Sequence, residues 1–528
     1  MDAVAKRIYL ILFVSIIAAT GAVADDAEFE GRIRLGGIVK DETGNRATMQ
    51  ETYNIYEGFS IPSIFLDGRF SRRSFLKLDL SDFNQDNRRG YLEYRIPSLF
   101  RLYSRYTQSA QVFDATRATE SKRKNFFLSA RLTPSSLTEI TGDYRLIKRT
   151  GDRIGYPDSV QSWLGNGYDY DHHYGRLALQ LRSDKVGGTL ALDLSEIKDK
   201  VSDLNNRNGR VLSANVYLPA FLSKRLTHVL RGAVGVSDLP TSNVKYTMYT
   251  GQYTGILALL QQLQFKYRFY GSRVDDEATQ LFTDNLINDF DLVYRDRWGS
   301  VSAGYGWEAL DDDRSVTTYN NLRGALYLQS SGNKVSGSVA FASRDKEDKE
   351  KQTLLQDTET TRLRAKIDYN PNTEFSLGGS YATRNRSLND ISTQIEGNMA
   401  NAYARYHHKF SSGIGEVGTK LSVNYQYADD DYDNRVGSYK TRSHFVTAKI
   451  DAFWNKLNLG TAVTYMDIGQ DLDIEKSVLS FWGGYTFADH WEARVKYNVY
   501  NYDDYILADR FYTANIVWFD IGYNFDVK

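Results

Sequence analysis

The chain is dominated by segments in which apolar and polar side chains alternate with a period of two residues. From Trp491 to Val499 the odd-numbered positions are apolar or aromatic, and the even-numbered positions carry Glu, Arg, Lys and Asn. The same alternation recurs at 176–182, 263–270, 362–369 and 421–427. Because successive side chains of a β-strand point to opposite faces, each segment is predicted to be a strand with one apolar and one polar face.

The N-terminal residues have a different character. A basic pair at 6–7 precedes the apolar run IYLILFVSIIAA, and the small-residue pattern AVA follows at 22–24. This order is typical of a secretory signal peptide, so we expect residues 1–24 to be a signal peptide and residues 25–528 to form the fold. After residue 24, no apolar stretch reaches the roughly 18 residues that a membrane-spanning helix needs.

Strand length separates the two architectures that such an exported chain can adopt. Strands of soluble sandwiches and propellers are usually about five or six residues long. Many alternating segments here continue for about ten residues, which is enough to cross the outer-membrane core when the strand is tilted. The pattern therefore favours one large membrane barrel over several soluble β-domains.

The connections between the segments have the asymmetry of a membrane barrel, in which tight turns lie on one side and longer loops on the other. Short turn sequences occur at 331–334, 370–372, 411–413 and 454–456. Longer polar segments occur at 344–357, 384–398 and 428–434. We predict an all-β fold: a single antiparallel transmembrane barrel of about 26 strands, within a range of roughly 22–28, in the outer membrane of a Gram-negative bacterium.

Composition excludes several classes of function. The chain has no cysteine, so it cannot form disulfides, thiolate zinc sites, cysteine-ligated iron–sulfur clusters or covalent c-type haem. Its 65 basic and 66 acidic residues nearly cancel, which gives no basic footprint for nucleic acid. No nucleophile elbow, zinc-protease motif, P-loop or dinucleotide fingerprint occurs, and we expect no enzyme activity and no cofactor bound by this chain.

The predicted width makes the interior of the barrel the place to look for function. About 26 strands, spaced by roughly 4.8 Å and tilted by about 40°, give a backbone diameter of about 50 Å and a lumen of about 35–40 Å. Strand-like alternation begins at residues 29–40, so we expect no plug domain. The charged faces are predicted to line the lumen, with Arg176, Arg182, Lys266, Arg268, Arg364, Lys366, Asp368, Arg494 and Lys496 as candidates.

One acidic stretch is a weak candidate for a metal site. In ADDDYDN, residues Asp429, Asp431 and Asp433 occupy alternate positions, and hard carboxylate oxygens at such spacing can hold calcium. The glycine and the distant glutamate of an EF-hand loop are missing. The alternative is a solvated acidic loop without metal, and we expect no metal site.

Several strands end in tyrosines that run into acidic residues, as in YRFYGSRVDD (267–276), YQYADDDYD (425–433) and YNVYNYDDY (497–505). With a barrel layout that covers most of the chain and lacks a plug, these endings resemble the outer-membrane barrels of porin–cytochrome electron conduits, the decahaem-associated MtrB/PioB type. The resemblance implies that the lumen holds a periplasmic multihaem c-type cytochrome, whose haems belong to the partner. Some members of that family carry an N-terminal C-x-x-C, which this chain lacks.

The sequence thus leads to one expected function and leaves two alternatives open. The expected function is an outer-membrane barrel that surrounds a multihaem cytochrome for electron transfer across the membrane. A general or substrate-selective diffusion porin would use the same charged interior as a water-filled channel. A structural or adhesive surface protein would use its loops and close the lumen with its own residues.

Overall fold

The computed structural model describes residues 28–527 apart from 46–47, 50–54, 56, 72–73, 84, 113–119, 152–167, 220–222, 313–314, 349–356, 389–392, 413–414, 434–436 and 508–509. The signal peptide predicted for residues 1–24 lies outside the described residues. The described part of the chain forms 26 strands that belong to one sheet.

The strands follow one another along the chain with short connections in most places. Their bounds are β1 Glu28–Gly44, β2 Gly58–Ser71, β3 Ser74–Ser81, β4 Arg88–Ile96, β5 Phe100–Val112, β6 Glu120–Ser135, β7 Thr138–Gly151, β8 Tyr168–Arg182, β9 Gly187–Asp199, β10 Arg207–Leu218, β11 Leu226–Leu239, β12 Val244–Ala258, β13 Leu263–Asp276, β14 Phe282–Asp296, β15 Gly299–Asp312, β16 Ser315–Gln329, β17 Val335–Asp348, β18 Thr358–Tyr369, β19 Phe375–Leu388, β20 Thr393–Ser412, β21 Gly415–Asp433, β22 Ser438–Trp454, β23 Leu457–Gln470, β24 Ile474–Ala488, β25 Trp491–Asp504 and β26 Tyr512–Val527.

The sheet closes on itself. Each strand pairs antiparallel with its neighbours in sequence, and β1 pairs both with β2 and with β26. The β1–β26 ladder runs without a register shift from Phe29 opposite Val527 to Gly44 opposite Tyr512. The all-β class, the single antiparallel barrel and the strand number agree with the prediction from sequence. The absence of a plug domain stays a prediction.

Helical structure contributes little to the described part of the chain. Two short 3₁₀ turns occupy Asp203–Asn205 and Ser331–Asn333. No helix among the described residues is long and apolar enough to cross a membrane.

One face of the closed sheet carries large apolar side chains that remain exposed. Leu177 is 59% exposed, Leu322 is 56% exposed and Ile521 is 52% exposed. Residues directly opposite each other on neighbouring strands point to the same side, and Leu177 stands opposite Leu192 in β9. A face of this kind is stable against hydrocarbon. Closure of the sheet also leaves no edge strand, so no backbone N–H or C=O group remains unpaired in the hydrocarbon. The barrel therefore lies in the outer membrane of a Gram-negative bacterium.

The strands are longer than the sequence pattern indicated. The polar segments 384–398 and 428–434 were predicted to be loops, but β19, β20 and β21 cover most of both. β20 has 20 residues, an extended length of about 65 Å, which exceeds what the hydrocarbon core needs even when the strand is tilted. The prediction of long loops is wrong at these two places, because antiparallel pairing continues into water wherever both strands can still exchange backbone hydrogen bonds.

Two tyrosines near the end of β25 lie on the face opposite to the apolar one. Tyr502 stands opposite Tyr512 of β26, and their rings stack with centroids 5.3 Å apart. Tyr500 and Tyr502 pack against a buried cluster that includes Met49, from the segment between β1 and β2. The register therefore places both rings on the charged face of the strand.

An ion-paired cluster crosses the seam where the first and last strands meet. Arg34 of β1 is 2% exposed, and its guanidinium lies 2.5 Å from a Glu492 carboxylate oxygen and 3.4 Å from an Asp520 carboxylate oxygen. Arg494 contacts the same oxygen of Asp520 at 3.3 Å. The cluster therefore ties β1, β25 and β26 together through side chains as well as through the backbone.

We expect Arg34→Ala to lower the free energy of unfolding by about 3 kcal/mol, because removing one member of a buried ion pair leaves a carboxylate without its partner. The measurement is urea unfolding in detergent, followed by tryptophan fluorescence and by the gel mobility of unheated samples. Arg405→Ala is the matched control, since Arg405 is exposed and contacts the ring of Tyr403 rather than a carboxylate. Equal losses in the two variants would contradict a special role for the seam.

Candidate functional site

The charged residues predicted to line the lumen lie on one face of the sheet. Arg176 stands opposite Asp193, Lys266 opposite Asp291, and Arg494 opposite Asp520. Following the ladder from strand to strand puts the whole predicted set on this face: Arg176, Arg182, Lys266, Arg268, Arg364, Lys366, Asp368, Arg494 and Lys496. Because ionised side chains are expensive against hydrocarbon, we assign this face to the lumen and call it the inner wall.

A four-residue network on β13, β14 and β16 organises one part of the inner wall. The Arg323 guanidinium lies 2.9 Å from an Asp289 oxygen and 2.8 Å from an Asp291 oxygen. Arg268 approaches the same two carboxylates at 3.2 and 3.3 Å. Arg268 is among the residues predicted from the sequence to face the lumen, whereas Asp289, Asp291 and Arg323 are not. All three occupy polar positions of alternating segments, so the same pattern could have predicted them.

The network crosses β15 because that strand carries glycines at the positions over which the side chains of its neighbours pass. Gly304 stands between Asp291 and Arg323, and Gly306 stands opposite Asp289. A Cβ atom at Gly304 would lie 2.3 Å from an Asp291 oxygen and 2.7 Å from Nε of Arg323. The absence of a side chain at this position is what lets residues two strands apart form an ion pair.

Other predicted wall residues form smaller ion pairs. Lys366 and the Tyr403 hydroxyl contact Asp368 at 2.7 and 2.6 Å. Arg182 lies 2.9 Å from Glu139. Each of these contacts joins polar residues of the inner wall, so much of its charge is balanced within the wall itself.

Three of the predicted cations are not neutralised by acids. Lys496 lies over the ring of Trp518, 5.2 Å from its centroid. Lys266 and Arg364 contact no carboxylate in the described portion of the chain. These three side chains therefore have no acidic partner among the described residues.

Several charged residues of the inner wall are open to solvent within the described part of the chain. Lys366 and Arg182 are each 55% exposed, and Arg176 is 40% exposed although it lies 3.7 Å from Asp193. Side chains in a barrel that is packed shut would be buried. The wall around these residues is therefore accessible to solvent in the described part of the chain, whereas the segment around Met49 covers the wall beside Tyr500 and Tyr502.

The acidic row at the end of β21 lies on the opposite face from the inner wall. Asp431 forms an ion pair with Lys440, and Asp429 lies 3.5 Å from Arg442. The hydrogen bond from Lys440 to Asp431 raises the pKa of Lys440. Lys440 lies near the start of β22, next to the connection from β21. Among the residues that the model describes, no group of three or more acidic or histidine side chains could hold a metal ion. Asp429, Asp431 and Asp433 therefore do not form such a group in the described part of the chain.

We expect Gly304→Ala to lower the free energy of unfolding by about 1–3 kcal/mol, because the added methyl group displaces Arg323 or Asp291 from the network. Gly324→Ala is the matched control, since the nearest atom to its Cβ would be the Ser302 carbonyl oxygen at 3.7 Å. Urea titration of both variants in detergent measures the difference. A control variant as unstable as Gly304→Ala would show that any side chain in this part of the sheet is harmful.

Comparison with known proteins gives similarity of fold only. No family model matches the chain, and no curated protein matches it. The siderophore receptor PirA from Pseudomonas aeruginosa aligns over 83% of this chain and 86% of its own, at 12% identity and a TM-score of 0.45. The FrpB iron transporter from Neisseria meningitidis (F3-3 variant) aligns over 95% and 82%, at 8% identity and a TM-score of 0.48. The copper transporter OprC aligns over 94% and 80%, at 9% identity and a TM-score of 0.46.

Proposed function

We propose that the barrel surrounds a folded, polar partner protein, and that this partner is a periplasmic multihaem c-type cytochrome that carries electrons across the outer membrane. The observation that carries the proposal is the open, charged inner wall of a closed barrel of 26 strands. Wall side chains such as Lys366 remain more than half exposed, so the described residues provide a surface for an occupant.

The width of the barrel supports an occupant of protein size. A circular barrel of this strand number has a backbone diameter of about 50 Å and an interior of about 35–40 Å. A permanently open hole of that diameter would let small proteins leak through the membrane. A folded partner with a hydrated, polar surface would close the hole and would match a wall built from charged side chains.

Electron transfer across the outer membrane would require redox centres inside the barrel. The hydrocarbon core is about 30 Å thick and insulating, so electrons require a chain of redox centres across it. This chain has no cysteine to attach c-type haem, so the centres would come from the partner. The barrel would then act as an insulating sleeve without catalytic activity or a cofactor of its own, in keeping with its resemblance to the barrels of porin–cytochrome conduits.

We expect the tagged chain, purified in detergent from its native outer membrane, to retain a second protein with a Soret band and several haems per barrel. Proteoliposomes made from the complex should pass electrons from an external reductant to an entrapped redox dye. A barrel that emerges alone, with neither haem absorbance nor a bound protein, would contradict the proposal.

A charge reversal on the inner wall tests where the partner sits. Arg231 is an exposed residue of the inner wall, and it contacts no carboxylate that the model describes. We expect Arg231→Glu to lower the salt concentration at which the partner dissociates. Lys224→Glu, in the exposed turn before β11, is the matched control and should leave retention unchanged. If Lys224→Glu weakens retention of the partner and Arg231→Glu does not, the partner binds outside the lumen.

The alternative function, a diffusion porin, uses the same wall and gives an opposite result. The isolated chain in a planar bilayer would then conduct ions steadily, and the chain would purify without a partner. The two outcomes separate the functions because an occupied lumen conducts little until its occupant is removed.

A further inference from the structure

Four arginines of the inner wall line one pocket, and three of them contact no carboxylate among the described residues. Arg344 of β17, Arg362 of β18, and Arg384 and Arg386 of β19 line one pocket of about 680 Å³, together with Lys346. We call these four arginines the arginine patch. They lie toward the strand ends that lead to residues 349–356 and 389–392.

The register forces like charges together in the patch. Arg362 and Arg384 stand directly opposite each other on β18 and β19. Arg344 and Arg386 both stand opposite Thr360, one on each side of β18. Like charges placed directly opposite on neighbouring strands repel, so this arrangement weakens the sheet unless an anion lies between them.

The acids nearby do not neutralise the patch. Arg344 lies 2.9 Å from Glu308 and stacks on the Tyr319 ring at 4.1 Å from its centroid. Arg362, Arg384 and Arg386 contact no carboxylate in the part of the chain that the model describes. Asp430 lies over Gly397, the residue opposite Arg384, without forming an ion pair with Arg384. Three neighbouring guanidinium groups therefore share one pocket without contacting a carboxylate of the described residues.

A buried donor in the patch is a second observation. The Nε atom of Arg386 is buried and has no hydrogen-bond partner. A buried N–H without an acceptor is costly, and guanidinium groups are built to donate pairs of hydrogen bonds to the oxygens of carboxylates or phosphates. Arg323, which lines the same pocket, has two carboxylate partners, whereas Arg386 has none among the described residues.

We propose that the arginine patch is a binding site for a multivalent oxyanion, whose carboxylate or phosphate groups sit between Arg362, Arg384 and Arg386. The site belongs to the barrel itself, and it takes the same chemistry from a dissolved anion or from acidic groups on a lumen occupant. It does not depend on the identity of that occupant.

Isothermal titration calorimetry on the isolated barrel in detergent, with sodium pyrophosphate and with sodium citrate, tests the site directly. We expect saturable binding of at least one anion to the native chain. The double variant Arg362→Gln/Arg384→Gln should bind it at least tenfold more weakly, because two of the charged donors are gone. Arg405→Gln is the matched control and should keep native affinity, because Arg405 is an exposed inner-wall arginine opposite Ser376, at the other end of β19 from Arg384 and Arg386.

Thermal unfolding gives a readout that a purely structural role would not produce. Without anion, the double variant should unfold at the native midpoint or above it, because a repulsion has been removed. With pyrophosphate or citrate, the midpoint of the native chain should rise and that of the double variant should not. A native chain that binds neither anion, or a double variant that binds as the native chain does, would overturn the proposal.

A competition experiment then distinguishes the source of the oxyanion. If the site holds acidic groups of an occupant, the anion that binds the isolated barrel should release a co-purified protein at lower ionic strength than sodium chloride does. If the site serves a dissolved anion, both salts should act equally on the occupant while calorimetric binding persists. Loss of the cytochrome proposal would leave the calorimetric result unchanged, so the two proposals fail separately.

Discussion

The structure depends on closing a hydrogen-bonded sheet in a medium that cannot hydrogen-bond. Inside hydrocarbon each unpaired backbone N–H or C=O costs several kcal/mol, so a strand edge cannot be left open. The pairing of β1 with β26 removes that edge, and its register is continuous from Phe29 to Gly44. The buried Arg34 cluster lies at this seam, where the ends of the chain sequence meet and no hairpin turn holds the strands together.

Closure also separates the side chains into two environments. One face meets lipid and carries residues such as Leu322 and Ile521, while the other carries the arginines, lysines and acids. Because the inner wall is hydrated, its ion pairs are individually weak, and networks such as Arg323 with Asp289 and Asp291 gain from geometry and from several simultaneous contacts. The polar groups of the described residues are therefore spread over a broad wall.

The balance of charge along that wall is uneven, and the unevenness carries information. Where Lys366 meets Asp368 or Arg182 meets Glu139, the wall satisfies itself. Arg362 instead stands opposite Arg384, and neither contacts a carboxylate of the described residues. An anion bound between them would balance their charge. An occupant of the lumen would thus meet a wall on which some cations are paired with acids and others, such as those of the arginine patch, are not, and this pattern would favour one orientation through charge.

The sequence by itself determined the strand character, the two faces and the strand number, because alternation is a local property that each segment carries alone. It also predicted that residues such as Arg268 and Lys366 face the lumen, from their positions in that pattern, and the register places both on the charged face. It misjudged segments 384–398 and 428–434, whose polar composition hides strands that continue beyond the membrane. Only the tertiary structure decided which strands meet, and therefore that Arg323 reaches two acids over Gly304 while Arg362 faces another arginine. Register sets those encounters, and register is fixed by hydrogen bonding between strands that no single segment encodes.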